Sequence, residues 1–296
     1  MTTALSLIII TKNRPQQLVT CLQSVHKSSY KNFELIVVDQ STGQGTAQKN
    51  PQLLTALQKF PQVKYIQSKL SGKSRGLNLA IKLSSAPILA FTDDDCIVDE
   101  EWLQNVASSF REHPHVTAVF GRTLPFQPHK NKGLTCPATF TKKTPHFVTE
   151  PCKHWKHIGF GNNMAWRKEF FKQHGLFKEW LGPGSIGSSA EDAEIALRAL
   201  VNKKKIFYNP AILVKHNKWL NEKGLRKLNL SYICGEMACY GHLAENNISI
   251  GKTVVKNNWE NIKYEMRRIK DASQLIKLVT KTIYLIRGWS LSYIMK

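Results

Sequence analysis

The first 120 residues of this 296-residue chain alternate short apolar-rich runs with amphipathic segments. The four runs are residues 5–10, 34–39, 63–66 and 87–91. Each is too short for a typical helix, whereas the segments between them repeat apolar residues at helical spacing. Strands that alternate with helices in this way pair as a mostly parallel sheet with helices on its faces. The pattern therefore predicts an α/β, Rossmann-like fold.

Three consecutive carboxylates, Asp93, Asp94 and Asp95, follow the last of these runs. Open α/β sheets bind ligands at the carboxyl ends of their strands, and clustered carboxylate oxygens suit a hard divalent cation that carries a diphosphate. The alternative is an acidic turn, because aspartate is common in turns. The first interpretation predicts a site for a nucleotide-linked substrate.

Composition limits the class of protein without choosing the partner. With 42% hydrophobic and 21% charged residues, the chain can form one large domain, or one domain with an appendage. The net charge of +21 favours nucleic acid, an anionic membrane surface or anionic small molecules as partners. The basic residues are concentrated in the C-terminal half.

Cysteine spacing and the N-terminus indicate a reducing compartment. The six cysteines form no C-x-x-C pair, so we expect reduced thiols and no zinc site. We find no signal-peptide pattern and no apolar segment of bilayer length. The sequence predicts a cytosolic protein or one attached to the cytosolic face of a membrane.

The loop after the first strand argues against several nucleotide-binding classes. It is Thr11-Lys12-Asn13-Arg14 and lacks the G-x-G-x-x-G of nicotinamide and flavin enzymes. A nucleotidyltransferase would be expected to carry a glycine-rich loop with Arg and Lys here. A nucleic-acid-binding protein would fit the charge, but no recognised DNA or RNA module is present.

Seven short motifs follow one another between residues 11 and 216. They are T-x-N-R at 11–14, E-L-I-V-V-D-x-S at 34–41, G-K-S-R-G-L-N at 72–78, D-D-D at 93–95, G-F-G-N-N-M-A-W-R at 159–167, E-D-A-E at 191–194 with Arg198, and V-K-H at 214–216. In this order they resemble the inverting glycosyltransferases of family 2, whose fold is called GT-A. The resemblance covers roughly residues 5 to 216 and implies a nucleotide-sugar-dependent enzyme.

The resemblance implies a donor site at the strand ends. Asp39 would recognise the nucleobase, and Arg75 would contact base or phosphate. The remaining nucleotide-binding positions would be Thr11, Asn13, Arg14, Asn78, Asp93 and Asp94. The alternative for Asp39 is a turn acid, and for Arg75 a solvated helix face.

A divalent cation is implied by the D-x-D pattern of the acids. Asp95 would be its principal ligand, with Asp93 and His216 as further ligands. Imidazole suits Mn²⁺, with Mg²⁺ as the alternative. The alternative for His216 is a structural histidine at a strand end. The other histidines, including His113, His115 and those at 154 and 157, show no ligand spacing.

The catalytic base implied by the resemblance is Asp192, with Glu191 as the alternative. Inversion requires a group that deprotonates the acceptor hydroxyl during attack. Ser189 is predicted to cap a helix that carries both acids in its first turn, and Ser74 is predicted to cap the helix that precedes residues 87–91. Acids at that position also complement the helix dipole without any catalysis.

The acceptor side is expected between residues 121 and 218. The resemblance places Asn162, Asn163, Trp166 and Gly184 there. Residues 182–187 resemble a flexible strap near the acceptor. The proline-rich stretch from 121 to 158 is predicted to be a functional loop or a surface connection.

The resemblance ends near residue 216, so we expect a catalytic domain over 1–218 and a basic helical region over 219–296. The catalytic domain divides into a nucleotide-sugar-binding half, 1–120, and an acceptor half, 121–218. From residue 273 onward, apolar residues fall on one broad helical face with Lys277, Lys281 and Arg287 opposite. This pattern predicts either an interfacial helix on an anionic membrane or a helix that packs on the core.

The resemblance thus implies an inverting, metal-dependent glycosyltransferase of the cell envelope. Its donor would be a nucleoside diphosphate sugar, with UDP the commonest in the family and GDP or dTDP not excluded. Its acceptor would be a glycan or lipid-linked hydroxyl in polysaccharide, glycolipid or other surface-glycan synthesis.

Overall fold

The computed structural model describes residues 4–43, 46–61, 63–152 and 157–295. Within these ranges a nine-stranded sheet is flanked by helices. The strands are β1 (Leu5–Thr11), β2 (Phe33–Asp39), β3 (Val63–Gln67), β4 (Ile88–Asp93), β5 (Cys96–Val98), β6 (Val116–Pro125), β7 (His146–Val148), β8 (Asn163–Arg167) and β9 (Lys205–His216). The α-helices are α1 (Pro15–His26), α2 (Pro51–Gln58), α3 (Lys73–Leu83), α4 (Trp102–Glu112), α5 (Lys168–His174), α6 (Glu191–Val201), α7 (Glu222–Glu245), α8 (Ser249–Met266) and α9 (Ala272–Ile294).

The N-terminal half of the sheet is parallel. Its order is β3-β2-β1-β4, with β1 between β2 and β4. The register pairs Thr11 with Asp39 and Ile10 with Asp93. Parallel pairing thus brings the polar ends of three strands to one edge of the sheet. The predicted α/β class is confirmed.

The second half of the sheet mixes directions. β8 lies antiparallel between β4 and β6, while β6 and β9 are parallel. β5 and β7 both pair antiparallel with β9. The β5–β9 register places Cys96 opposite His216, so His216 reaches the strand end beside Asp95.

The strands are apolar because helices cover both faces of the sheet. Leu7 and Ile9 of β1 pack in a cluster with residues of α1, α2 and α4. Ile8 and Ile10, which point to the opposite face, pack with residues of α3, α5 and α6. A strand buried on both faces reads as a continuous apolar run rather than an alternating one.

One buried acid ties the N-terminal strands together. Glu34 Oε1 accepts hydrogen bonds from the hydroxyls of Ser6 (2.6 Å) and Ser85 (2.7 Å), and Lys64 Nζ lies 2.7 Å from Glu34 Oε2. Burial alone would raise the pKa of Glu34, but the bonds from Lys64, Ser6 and Ser85 lower it to about 2. The ionised form of this carboxylate therefore stabilises the fold.

Two serines predicted to cap helices, Ser74 and Ser189, form hydrogen bonds with distant segments instead. Gly72, with φ 118°, precedes α3 at the N-cap position, and the buried Ser74 hydroxyl donates to the Leu181 carbonyl at 2.7 Å. Ala190, with φ 71°, precedes α6, and the Ser189 hydroxyl donates to Ser231 O at 3.0 Å. The prediction that these serines cap the helices was wrong, because contacts with distant segments take both hydroxyls. Glu191 and Asp192 do lie in the first turn of α6.

The stretch from 121 to 152 is partly ordered by the sheet. β6 continues to Pro125, and Phe140 pairs with Thr123 through two backbone hydrogen bonds of 2.9 Å. β7 then adds to the edge of β9. Residues 153–156, which include His154, lie outside the described residues.

The C-terminal helices pack on one another and on α6 and the segment before it. The predicted boundary at 218/219 falls between β9 and α7. Leu278 and Leu285 of α9 are buried, and Gly288 lies so close to Cys234 O that an added Cβ would be 2.2 Å away. Ile276 and Ile283 on the other side of α9 are exposed. Among the described residues, no helix combines the length and apolar character needed to cross a bilayer.

Candidate active site

A cavity of about 760 Å³ opens at the edge of the sheet where β1, β4 and β9 end. It collects predicted site residues from both the 1–120 and the 121–218 parts of the chain. Those that line it are Thr11, Arg14, Asp93, Asp95, Asn162, Gly184, Glu191, Asp192 and His216. The structure thus brings the predicted metal ligands, the predicted base and part of the donor and acceptor sets into one space.

Arg14 joins two of the three consecutive acids. Its Nη2 lies 2.6 Å from Asp94 Oδ1, and its Nη1 lies 2.8 Å from Asp95 Oδ2. The Thr11 hydroxyl donates to the other oxygen of Asp94 at 2.6 Å. Burial raises the pKa of Asp94 to about 7, against the opposing charge of Arg14. Asp94 is fully buried and does not line the cavity, and its contacts hold Thr11 and Arg14 in place.

Asp95 and His216 face each other across the strand ends. His216 Nε2 lies 3.3 Å from Asp95 Oδ1, and its Nδ1 lies 2.8 Å from the Pro137 carbonyl oxygen. Since a carbonyl only accepts, Nδ1 carries a proton, and in the neutral imidazole Nε2 holds the lone pair. Without a cation, the contact with Asp95 raises the pKa of His216 to about 10, although burial alone would lower it, so a bound cation would take the place of the Nε2 proton.

The residues present fit a divalent cation. Asp95 Oδ1 is buried, and no protein group in the described ranges donates a well-aligned hydrogen bond to it. The ligand atoms of Asp95, Cys96 and His216 all lie within 4.8 Å of one another. Burial raises the pKa of the Cys96 thiol well above its usual range, so the carboxylate and imidazole are the suitable ligands. No other group of three such side chains appears in the described part of the chain.

Lys73 forms an ion pair with Asp93, the third predicted metal ligand. Its Nζ lies 2.6 Å from Asp93 Oδ1 and 3.4 Å from Glu191 Oε1. Burial alone would lower the pKa of Lys73, but Asp93 and Glu191 raise it above its usual range. Burial raises the pKa of Glu191 to about 7, against the charge of Lys73. Sequence reasoning missed Lys73, although it lies inside the G-K-S-R-G-L-N motif.

Asp192 is oriented by backbone donors. Its Oδ2 accepts from the Gly161 N–H at 2.7 Å, and its Oδ1 accepts from the Ala193 N–H at 2.8 Å. A Cβ at Gly161 would lie 2.9 Å from the Asp192 Cβ, so only glycine fits there without a shift. The carboxylate is half-buried at the cavity wall, unlike the buried Glu191. This arrangement presents Asp192 to whatever occupies the cavity.

Two predicted nucleotide-binding residues, Asp39 and Asn13, do not line the cavity. Asp39 is fully buried and accepts from the Ser41 N–H at 2.7 Å and from the Tyr65 hydroxyl. Asn13 Oδ1 accepts from the Thr42 N–H at 3.1 Å, which ties together the loops after β1 and β2.

Arg75 and Asn78, the two predicted nucleotide-binding residues on α3, contact the segment around residue 178. Asn78 Nδ2 donates to Phe177 O at 2.9 Å, and the Phe177 N–H donates to Asn78 Oδ1 at 3.0 Å. Arg75 is half-exposed, with Nε 3.4 Å from Glu179 Oε2. Asn78 thus holds in place the segment that leads to the strap at 182–187.

Two of the four predicted acceptor residues are structural in this fold. Asn162 and Gly184 line the cavity, whereas Asn163 and Trp166 are fully buried. Asn163 Oδ1 accepts from the Trp102 indole N–H at 2.9 Å. Trp166 lies in the core cluster on the α3 side of the sheet. Their place on β8 points both side chains into the protein, so the acceptor role expected for them is not supported by the geometry.

The C-terminal region supplies a wall that was not predicted. Leu228, Ser231, Tyr232 and Glu236 of α7 line the same cavity as Asp192. Nothing in the family motifs extends to these residues. The only signal in the sequence is their spacing of three and four residues, which places them on one helical face.

Comparison with known proteins assigns the family. The sequence model of "Glycosyl transferase family 2" matches residues 6–175, and the chain belongs to this family. It is similar to glycosyltransferase AglE of Haloferax volcanii, with 32% identity over 35% of this chain and 34% of that protein. It is also similar to the putative colanic acid biosynthesis glycosyl transferase WcaA of Escherichia coli, with 34% identity over 37% of each chain. These matches span about a third of the relatives' length.

Solved structures support the fold assignment. Mannosyltransferase PcManGT from Pyrobaculum calidifontis, in complex with GDP-Man and Mn²⁺, superposes with a TM-score of 0.63 at 14% identity, over 99% of this chain and 88% of that chain. TarS 1–349 of S. aureus, in complex with UDP-GlcNAc, gives a TM-score of 0.59 at 21% identity, over 78% of this chain and 66% of that chain. The predicted GT-A fold is confirmed. Family membership also favours a glycosyltransferase over a nucleotidyltransferase or a nucleic-acid-binding protein.

Proposed function

We propose that this chain transfers a sugar, with inversion, from a nucleoside diphosphate donor to a hydroxyl of a glycan or lipid-linked acceptor. One observation carries the proposal: the Asp95–His216 pair and the oriented Asp192 carboxylate line the same cavity at the carboxyl edge of the sheet. A pair suited to a cation and a base in one cavity serve the two ends of a transfer reaction.

The donor would lie over the ends of β1 and β4. Structural neighbours in complex with UDP-GlcNAc and with GDP-Man support a nucleotide-sugar donor, and UDP is our first choice for the nucleotide. Arg14 is partly exposed beside Asp95, where its positive charge can meet the diphosphate. Asp39 and its partner Tyr65 would form the inner boundary of the nucleobase pocket.

Asp95 and His216 would hold Mn²⁺ or Mg²⁺. A bound cation would supply positive charge against the departing diphosphate. Asp93, which Lys73 neutralises, would stand beside the donor rather than in the immediate ligand set. Lys73 adds a second protein cation on the base side of the cavity.

The transfer step assigns the proton to Asp192. The acceptor oxygen forms a bond to the anomeric carbon of the donor sugar as the bond to the diphosphate oxygen breaks with its electron pair. The Asp192 carboxylate takes the acceptor proton, with the Gly161 N–H holding one of its oxygens. Glu191 is the weaker candidate for the base because it is buried and faces Lys73.

A thermal-shift screen tests the donor and cation assignments. UDP, GDP, dTDP and their sugars would each be added with and without Mn²⁺, since ligands that bind the folded state raise its melting temperature. We expect Mn²⁺-dependent stabilisation in the parent and its loss in Asp95→Ala. Glu112→Ala, which removes an exposed carboxylate from α4, should behave as the parent. Full Mn²⁺-dependent stabilisation of Asp95→Ala would overturn the cation site, and no stabilisation by any nucleotide would overturn the function.

The exposed side of α9 supports peripheral attachment to the cytosolic face of an anionic membrane. Its exposed large apolar residues are Leu275, Ile276, Val279, Ile283, Ile286, Trp289, Tyr293 and Ile294. Lys277 is exposed beside them, and Arg267, Arg268 and Lys270 are exposed just before the helix. Apolar insertion and attraction of basic residues to lipid phosphates act together at such surfaces.

Two of the three basic residues expected to face lipid have protein partners. Lys281 Nζ lies 2.6 Å from Glu265 Oε1, and Arg287 Nη2 donates to Ile186 O at 3.0 Å. Because Leu278 and Leu285 are buried at the same time, removing the whole helix would expose core. Point substitutions on the exposed side are therefore the sharper test of membrane binding.

A further inference from the structure

We infer that the cavity face of α7 is an acceptor subsite, in which Tyr232 packs against a sugar ring of the acceptor and Glu236 binds its hydroxyl groups. This inference rests on the proposed transferase function and names the acceptor class, a carbohydrate rather than a bare lipid alcohol. It gives a functional role to the C-terminal region, which lies beyond the family match that ends at residue 175.

The position of these side chains follows from helical spacing. Leu228, Tyr232 and Glu236 are each four residues apart on α7, so they lie along one side of the helix. All three line the cavity that contains Asp192 and Glu191. Tyr232 is 36% exposed, whereas the adjacent Cys234 and Gly235 are buried against the protein.

α7 is fixed relative to the base. The Ser189 hydroxyl donates to Ser231 O at 3.0 Å, and a Cβ at Gly235 would be only 2.2 Å from Ser189 Oγ. Ser189 precedes Asp192 by three residues, so this contact sets the distance between the Tyr232 ring and the Asp192 carboxylate. The helix segment that carries Tyr232 is therefore held in place beside Asp192.

The electrostatic environment places Tyr232 on the base side of the cavity. Burial raises its pKa above the usual range, and the nearby charges of Asp192 and Glu191 raise it further. The phenol therefore remains neutral and can donate a hydrogen bond. The group that attacks the donor must approach Asp192, so what contacts Tyr232 is the acceptor.

The chemistry of this surface suits a sugar. A pyranose presents apolar C–H groups on its ring faces and hydroxyl groups at its edge. An aromatic ring with a polar tip matches the face, and a carboxylate one helical turn away matches the hydroxyls. Leu228 extends the apolar part of the same wall by one turn.

The experiment compares steady-state constants for acceptor and donor. A panel of octyl and p-nitrophenyl glycosides would be used as acceptor probes with the nucleotide sugar identified by thermal shift. Tyr232→Ala is expected to raise the glycoside KM about tenfold, the effect of losing one aromatic contact, and to change the donor KM far less. Tyr232→Phe should restore most of the acceptor affinity, because the ring remains.

Tyr264→Ala is the matched control. Tyr264 lies on α8, is 57% exposed and does not line the cavity, so its loss should leave both constants unchanged. If Tyr232→Ala lowers the melting temperature too far for kinetics, Tyr232→Leu keeps an apolar side chain without the ring and should raise the glycoside KM in the same way.

The outcomes separate this inference from the function beneath it. The subsite would be overturned if Tyr232→Ala left the glycoside KM unchanged, or if it raised the donor KM as much as the glycoside KM. It would also be overturned if the parent bound the donor but neither accepted nor bound any glycoside. Absence of donor binding in the parent would instead overturn the proposed function.

Discussion

Gly161→Ala is the smallest change that should disable catalysis. Gly161 donates its N–H to Asp192 Oδ2 at 2.7 Å. An added Cβ would lie 2.9 Å from the Asp192 Cβ and 3.2 Å from Oδ2. Carbon atoms in contact normally stand about 3.5 to 4.0 Å apart, so the carboxylate would move by roughly 0.5 to 1 Å.

A displacement of that size has a predictable cost. Misplacing a reacting group by about 1 Å can lower the rate on the order of a hundredfold. We therefore expect kcat to fall about 10- to 100-fold, or about 1.4 to 2.7 kcal/mol of transition-state stabilisation. Donor binding should be unchanged, since Gly161 and Asp192 lie on the base side of the cavity. Steady-state kinetics with the nucleotide-induced thermal shift as a second readout would measure both effects.

Gly224→Ala provides the control. It adds the same methyl group in the first turn of α7, where the nearest atom would be 3.4 Å away. It should retain the parent kcat. If Gly161→Ala transfers sugar at the parent rate with an unchanged melting temperature, the position of Asp192 does not control the reaction and its assignment as base fails.

Three further predictions concern the base, the fold and the surface. Asp192→Asn should retain the nucleotide-induced thermal shift and lose transfer; loss of transfer in Glu191→Gln instead would reverse the two roles. Glu34→Gln should lower the free energy of unfolding by about 2 kcal/mol at pH 7, because the ionised carboxylate, with a folded pKa of about 2, loses its charged hydrogen bonds, and urea titrations should show this difference shrinking as the pH falls from 4.5 towards 2. Ile276→Ser with Ile283→Ser should reduce sedimentation with vesicles of anionic lipid, and parent binding that ignores added salt would contradict the charge component.

The N-terminal half could be predicted from sequence because its strands are buried on both faces. Residues 5–10 and 87–91 are predicted to be strands of one mostly parallel sheet, so their polar ends are expected at the same edge. The register between β1 and its neighbours brings Thr11 beside Asp39 and Ile10 beside Asp93. This register brings Asp39 and Asp93 to the same edge as Thr11, and Asp94 and Asp95 follow Asp93 directly in the sequence.

The remaining parts of the site depend on long-range packing. In the sequence, Lys73 looks like an ordinary basic residue at the start of a helix. Only the packing of β4 and α6 brings Asp93 and Glu191 beside it. Ser74 and Ser189 carry good capping chemistry, yet tertiary acceptors take their hydroxyls. A local capping preference is overridden when the hydroxyl donates instead to a carbonyl of a distant segment.

Motif membership alone does not reveal side-chain direction. Asn162 lines the cavity, whereas Trp166, in the same motif, is fully buried. Asn162 precedes β8 at the edge of the cavity, whereas Trp166 lies within β8, between β4 and β6, where the helices on that face of the sheet cover it. The α7 wall was missed for a related reason: no local signal indicates which face of a helix meets a cavity.

Proton NMR of the anomeric signal during turnover tests the central claim most directly. The parent enzyme would be incubated with Mn²⁺ and α-linked UDP and GDP sugars, and the first sugar product, on a glycoside or on water, would be recorded before it mutarotates. Attack opposite the leaving group, with Asp192 as base, predicts that the β-anomer appears first as the nucleotide is released. An α-anomer as the first product, or no nucleotide release from any donor, would contradict the account.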